Sequence, residues 1–128
     1  MGSSIGFHLS NAYALGDVSS VYVQDDDYVY VGGLIGQVGE PGAVDASAGE
    51  VRIENVYAYG DVSAINGGGV GGLIGYVSPY MTSQNVYQSG SITNAHAYGD
   101  VYVTYIDAES AYGVGGLIGS MVGVDLSN

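Results

Sequence analysis

Three aspartates each follow a glycine in one repeated phrase: Asp17 in NAYALGDV, Asp61 in NVYAYGDV and Asp100 in NAHAYGDV. Carboxylates that recur in one register are either oxygens for a cation or the capping groups of a recurring turn. Stacked a strand apart they repel, so water, a cation or backbone N–H groups must neutralise them. Gly-Asp is common turn chemistry, which favours the turn reading. A second acidic group, Asp25, Asp26 and Asp27 in QDDDY, falls on an expected loop. A hard cation such as calcium takes about six to eight oxygens, and adjacent acids supply several. These three are the candidate metal ligands, with calcium the candidate ion; a solvated acidic loop is the competing reading. The loop follows neither the EF-hand pattern nor the glycine-rich nonapeptide of calcium-binding β-rolls.

Catalysis has less to work with. A glycoside hydrolase needs two facing carboxylates in a groove, and here the acids follow the repeat instead of breaking it. A lyase acting on an acidic polymer needs several cations, whereas Arg52 is the single base. His8 and His96 lie in different repeats with no recognisable Ser or Asp partner. The expectation is a protein without catalytic residues or a resident cofactor.

Thirteen acids against one base give a formal charge of −12. A nucleic-acid ligand needs a basic footprint, so that class is excluded, and an anionic membrane surface repels the chain. Hydrophobic residues make up 47%, with 13 tyrosines, so the chain is not a disordered acidic tail. There is no cysteine, hence no disulfide framework or thiolate metal site. No apolar run reaches the ~18 residues of a membrane span, and MGSSIG does not read as a signal peptide.

The elements that must position these residues are repeated. VGGLIG occurs at Val31–Gly36, Val70–Gly75 and Val114–Gly119, and its second residues are separated by 39 and 44 positions. Gly2-Ser3-Ser4-Ile5-Gly6 reads as a worn copy of GGLIG. The chain therefore divides into coils 2–31, 32–70 and 71–114 and a partial coil 115–128, all one domain over 1–128. Short β-forming runs such as VYV at Val21–Val23 and VYVTYI at Val101–Ile106 alternate with turn residues, and no helical period persists. The expected fold is all-β, a β-solenoid of about three coils, with three short strands per coil and a partial fourth coil. Equivalent residues then stack at the ~4.8 Å strand spacing. Leu34, Leu73 and Leu117 form one inward column, and Val18, Val62 and Val101 another. Ile35, Ile74 and Ile118 are expected on the opposite face of their strand. The glycines are expected to supply positive φ at corners and room for neighbouring coils. Asn11, Asn55 and Asn94 are expected as stacked corner residues bonded side chain to side chain. Asn85, in a further NVY phrase, marks an inserted hairpin or a slipped duplicate. Tyr13 and Tyr57 share a register, as do Tyr59 and Tyr98, and His96 replaces the tyrosine in the third copy.

These phrases, N-x-Y-A-x-G-x-V followed by V-G-G-L-I-G, resemble the GLUG-motif repeat family. The resemblance covers most of the chain. It implies a secreted or surface-attached bacterial or archaeal protein with a structural or adhesive role, and it carries no catalytic residues. Family members usually hold short arrays within very long chains, whereas this chain is repeats alone. Two functions follow as expectations. The first is the subunit of a self-assembling extracellular filament or surface fibre, a homopolymer stacked head to tail through open solenoid ends. Its assembly ends are Ile5 and Gly6 on one side and Leu117, Ile118, Val122, Val124 and Leu126 on the other, because neither end shows a capping helix or a charged terminal coil. The second is an adhesin module binding glycan or a cell-surface protein through exposed tyrosines and loops.

Overall fold

A computed structural model describes residues 5–21, 29–39, 43–44, 48–82, 84–105 and 113–128. The first turn of chain holds β1 (Ile5–Ala14), β2 (Val18–Val21), β3 (Tyr30–Gly32) and β4 (Ile35–Val38). The second holds β5 (Ala48–Ala58), β6 (Val62–Ile65), β7 (Gly69–Gly71) and β8 (Ile74–Val77). The third holds β9 (Gly90–Ala97), β10 (Val101–Thr104), β11 (Val114–Gly115) and β12 (Ile118–Met121), after which β13 (Asp125–Ser127) begins a further layer. Among the described residues there is no helix. Every strand pairs in parallel with its equivalent one turn away, in the orders β1-β5-β9-β13, β2-β6-β10, β3-β7-β11 and β4-β8-β12. The fold is an all-β solenoid of about three coils, as the repeat demands.

Each coil has four strands where the sequence suggests three. VGGLIG reads as one strand, but the chain bends at Gly33–Leu34, Gly72–Leu73 and Gly116–Leu117 and makes two. The bend overrides the two-residue alternation of a straight strand. Ile74 therefore turns into the same core cluster as Leu73, and both are 0% exposed. The expectation that the isoleucines face away from the leucines is corrected by this bend. Ile5 also departs from its expected place: it pairs with Ala48 in β5, so the N-terminal copy of GGLIG does not stack beneath β4.

The glycines answer to crowding rather than to handedness. Positive-φ glycines among the described residues are Gly39 and Gly123, neither of them in VGGLIG. A Cβ on Gly75 would lie 2.6 Å from the Val31 nitrogen, and one on Gly119 would lie 2.5 Å from the Val70 nitrogen. The β3-β7-β11 and β4-β8-β12 sheets thus lie back to back with their backbones in contact, which a side chain would forbid. On one side of this seam Val31, Val62, Ala64 and Val70 form a small core, with Val18 and Val101 packed on it. On the other side Ile53, Val56, Leu73, Ile74, Val77 and Ile92 form the larger core, with Leu34 and Leu117 against it.

Candidate functional site

The polar residues singled out by the repeat become ladders along the solenoid axis. Asn11, Asn55 and Asn94 hold φ of 54°, 55° and 51°, a left-handed conformation that asparagine tolerates better than most residues. Pairing skips them, running Ser10 to Glu54 and then Ala12 to Val56, so each long strand bends at its asparagine. The side chains then stack: Asn55 Nδ2 donates to Asn11 Oδ1 at 3.4 Å, and Asn94 Nδ2 to Asn55 Oδ1 at 2.8 Å. The third copy adds two contacts, one of them to its histidine. Asn94 Nδ2 also reaches Tyr57 Oη at 3.2 Å, and His96 Nε2 lies 2.8 Å from Asn94 Oδ1.

Backbone amides answer the aspartates. The Asp61 N–H donates to Asp17 Oδ1 at 2.9 Å, and the Asp100 N–H to Asp61 Oδ1 at 2.8 Å. Asp17 and Asp61 are each held by an amide of the next coil, which offsets the repulsion expected of stacked acids. In the last coil Tyr102 Oη donates to Asp100 Oδ2 at 3.0 Å. That bond, and then the carboxylate's charge, raise the Tyr102 pKa above the usual tyrosine value. The neutral phenol is the bonded form. Its contribution is present below about pH 10 and is lost as the pH rises through the raised pKa. Replacement of Asp100 by Asn should bring the Tyr102 titration back toward the usual value, read from the ring resonances by NMR. An unchanged titration would mean that the bond does not form. The i, i+2 spacing of Asp100 and Tyr102 puts both on one strand face, a signal present in the sequence but not used.

Aromatic side chains make a third ladder. Tyr57 and His96 stack at 5.4 Å with planes 8° apart, and Tyr59 and Tyr98 at 4.9 Å and 10°. One face of each ring is therefore covered by the neighbouring coil. Tyr13, Tyr59, Tyr98 and Tyr102 remain exposed.

Asp25, Asp26 and Asp27 lie outside the described residues. Among the described residues no group of three or more His, Asp or Glu side chains is placed to hold a metal ion. Arg52 lies beside Glu54 at 3.4 Å, and His8 beside Glu50 at 3.3 Å, both on the exposed face of the long-strand sheet. Asn85 sits at φ 58° in a small hairpin, closed by an antiparallel bridge between Met81 and Tyr87. Of the expected assembly residues, Ile5 and Gly6 lie in β1 at the first-coil edge. Leu117, Ile118 and Val124 pack against the larger core, and Leu126 is exposed in β13. The Val122 N–H bonds back to the Val77 carbonyl at 3.0 Å.

The ends of the ladders carry what the repeat alone does not disclose. A Cβ on Gly60 would collide with the Gly16 carbonyl oxygen, and one on Gly72 with that of Gly116. At Gly16 and Gly116 themselves a Cβ would meet nothing within 4 Å. Gly16 is turned to the outer side of the first coil and Gly116 to the outer side of the last, away from the other described coils.

The chain is similar to halomucin of Haloquadratum walsbyi. Identity is 38% over 114 residues, or 88% of this chain, so the likeness to halomucin extends over the repeats and is not confined to one loop. The chain spans about 1% of the length of halomucin. No protein-family model matches the chain, and no solved structure matches it. No helix of the described structure is long and apolar enough to cross a membrane.

Proposed function

We propose that this chain is a non-enzymatic structural protein of an extracellular surface that self-assembles head to tail into a filament or fibre. The observation that carries the reading is the coil-on-coil stacking: each strand pairs in parallel with its equivalent one turn away, a contact that another coil of the same repeat can continue. The outer strands of the four sheets have a described neighbour on one side, and a parallel edge is a template for another strand. Similarity to halomucin supports the extracellular setting, and so does the resemblance of the repeats to the GLUG motif.

Electron microscopy and light scattering across a salt series test this. Chains of charge −12 repel, so assembly should increase with salt as screening shortens to ~8 Å at physiological ionic strength. Three layers at the strand spacing give an axial rise of roughly 14 Å per chain. A chain that stays monomeric at high protein and high salt overturns the filament. The adhesin reading, supported by exposed Tyr13, Tyr98 and Tyr102, then takes its place.

A further inference from the structure

We propose that Tyr59 and Tyr98 are an oxidative cross-linking site, where a one-electron oxidant joins the second coil to the third through a dityrosine bond. Each phenol gives up one electron and its proton, and the two phenoxyl radicals couple through their ortho carbons. The ortho hydrogens then move to the oxygens as the rings regain aromaticity, which restores both phenols. The chain loses two electrons and two protons in all. Hydrogen peroxide, turned over by a haem peroxidase, takes them up and gives two waters. The site lies within one chain and does not depend on the filament reading.

Coupling needs two phenols held close together and open to an oxidant. Tyr59 and Tyr98 occupy one position of consecutive coils, 39 residues apart. Their backbones are pinned in register: the Tyr98 N–H donates to the Ala58 carbonyl at 2.8 Å, and the Tyr59 N–H to the Ala14 carbonyl at 3.0 Å. The ring centroids are 4.9 Å apart and the planes 10° apart. Side chains leaving equivalent positions of parallel coils run the same way, so small rotations about χ1 and χ2 bring ortho carbon to ortho carbon. Access is the second condition. Tyr59 belongs to the middle coil, with Leu15 and Tyr98 on either side of it in the column, and is still 49% exposed. The column therefore opens sideways to solvent, and Tyr98 is 60% exposed.

The neighbouring aromatic pairs each miss one condition. Tyr30 and Tyr76 are closer, at 4.6 Å, but Tyr76 is buried. Tyr57 stacks on His96 of the next coil, so that rung holds one phenol and cannot form dityrosine. Tyr57 and Tyr59 lie 6.5 Å apart within one coil, and the Tyr57 oxygen accepts the Asn94 bond. A bond between Tyr59 and Tyr98 would do what no disulfide does in this chain, which has no cysteine. It closes a long loop and ties two coils together, and a closed loop limits the freedom of the unfolded chain. The cross-linked protein should therefore resist denaturation.

The test treats the full chain with hydrogen peroxide and a haem peroxidase, at low salt and low protein concentration, where like charge keeps chains apart. The expected product is a fluorescent dityrosine monomer, lighter by two hydrogen atoms. Peptide mass spectrometry should find Tyr59 joined to Tyr98 as the main linkage. The urea midpoint of this product should lie above that of the untreated chain. Tyr59→Phe keeps the stacked ring and should lose both the linkage and the shift in midpoint. Tyr98→Phe, at the more exposed ring, should do the same, and circular dichroism checks that each variant is folded. Tyr57→Phe should keep both. The site is overturned if the treated wild type holds no dityrosine, holds it only between chains, or links chiefly through other tyrosines. Folded Tyr59→Phe and Tyr98→Phe chains that keep the wild-type yield overturn it too. Such failures leave the filament reading as it stands, because no second chain takes part.

Discussion

Truncating Leu73 to alanine should cost about 2–5 kcal/mol of unfolding free energy, the range for a fully buried leucine. Leu73 lies in the middle coil and is 0% exposed, with Leu34 and Leu117 packed on the same core from either side. Its carbonyl also accepts the N–H groups of Leu34 and Ile35, both at 3.0 Å, so the bend that carries the side chain is itself clamped to the coil below. The surroundings have little freedom to collapse into the cavity. Leu34→Ala and Leu117→Ala should cost less, because each outer leucine is partly exposed and has a coil on one side only. Urea denaturation of the three variants gives the comparison. A Leu73→Ala loss below about 1 kcal/mol, the range of a surface change, would mean that the leucine column does not face the core.

Much of this fold was legible because a solenoid repeats its side-chain environments along with its backbone. The leucine and valine columns, the asparagine corners and the parallel stacking all follow from spacing alone, since equivalent positions must meet equivalent positions. What spacing hides is how the chain turns inside one coil. Nothing in Val31–Gly36 distinguishes a straight strand from a bend at Gly33–Leu34, and a bend there moves Ile35 from one face to the core. The glycines were readable as essential, and of the two expected reasons, close approach of coils holds in VGGLIG while positive φ does not. Positive φ and close approach both demand glycine, and only coordinates separate them. Ile5 and Gly6 resembled a repeat by composition, yet the β1–β5 pairing claims them. The aspartate register was evident, whereas its partner was not, because a backbone N–H has no letter in the sequence. The end glycines are invisible for a related reason. Gly16 and Gly60 are one column in the sequence, and their difference arises only where the stack stops.

That difference gives the second large effect, a reversal of sign along one column. Gly72→Ala should destabilise the chain by about 3 kcal/mol or more, at or above the upper range for overpacking a filled site. Its new Cβ would strike the Gly116 carbonyl oxygen, a rigid backbone atom, and would lie 3.0 Å from the Ala97 Cβ. Relief requires the second and third coils to move apart. That would stretch the 3.2 Å bond from Gly72 N–H to the Gly115 carbonyl and the 2.9 Å bond from Leu73 N–H to the Leu117 carbonyl. Gly116→Ala adds the same methyl to the same position of the next coil, where nothing lies within 4 Å and φ is not in the left-handed region. There the loss of chain entropy in the unfolded state should dominate and stabilise the monomer by about 0.4–1 kcal/mol. Melting and denaturant titration at low protein concentration, where the chain is a monomer, compare the two directly. Equal destabilisation by both would mean that backbone conformation, and not the neighbouring coil, demands glycine in this column.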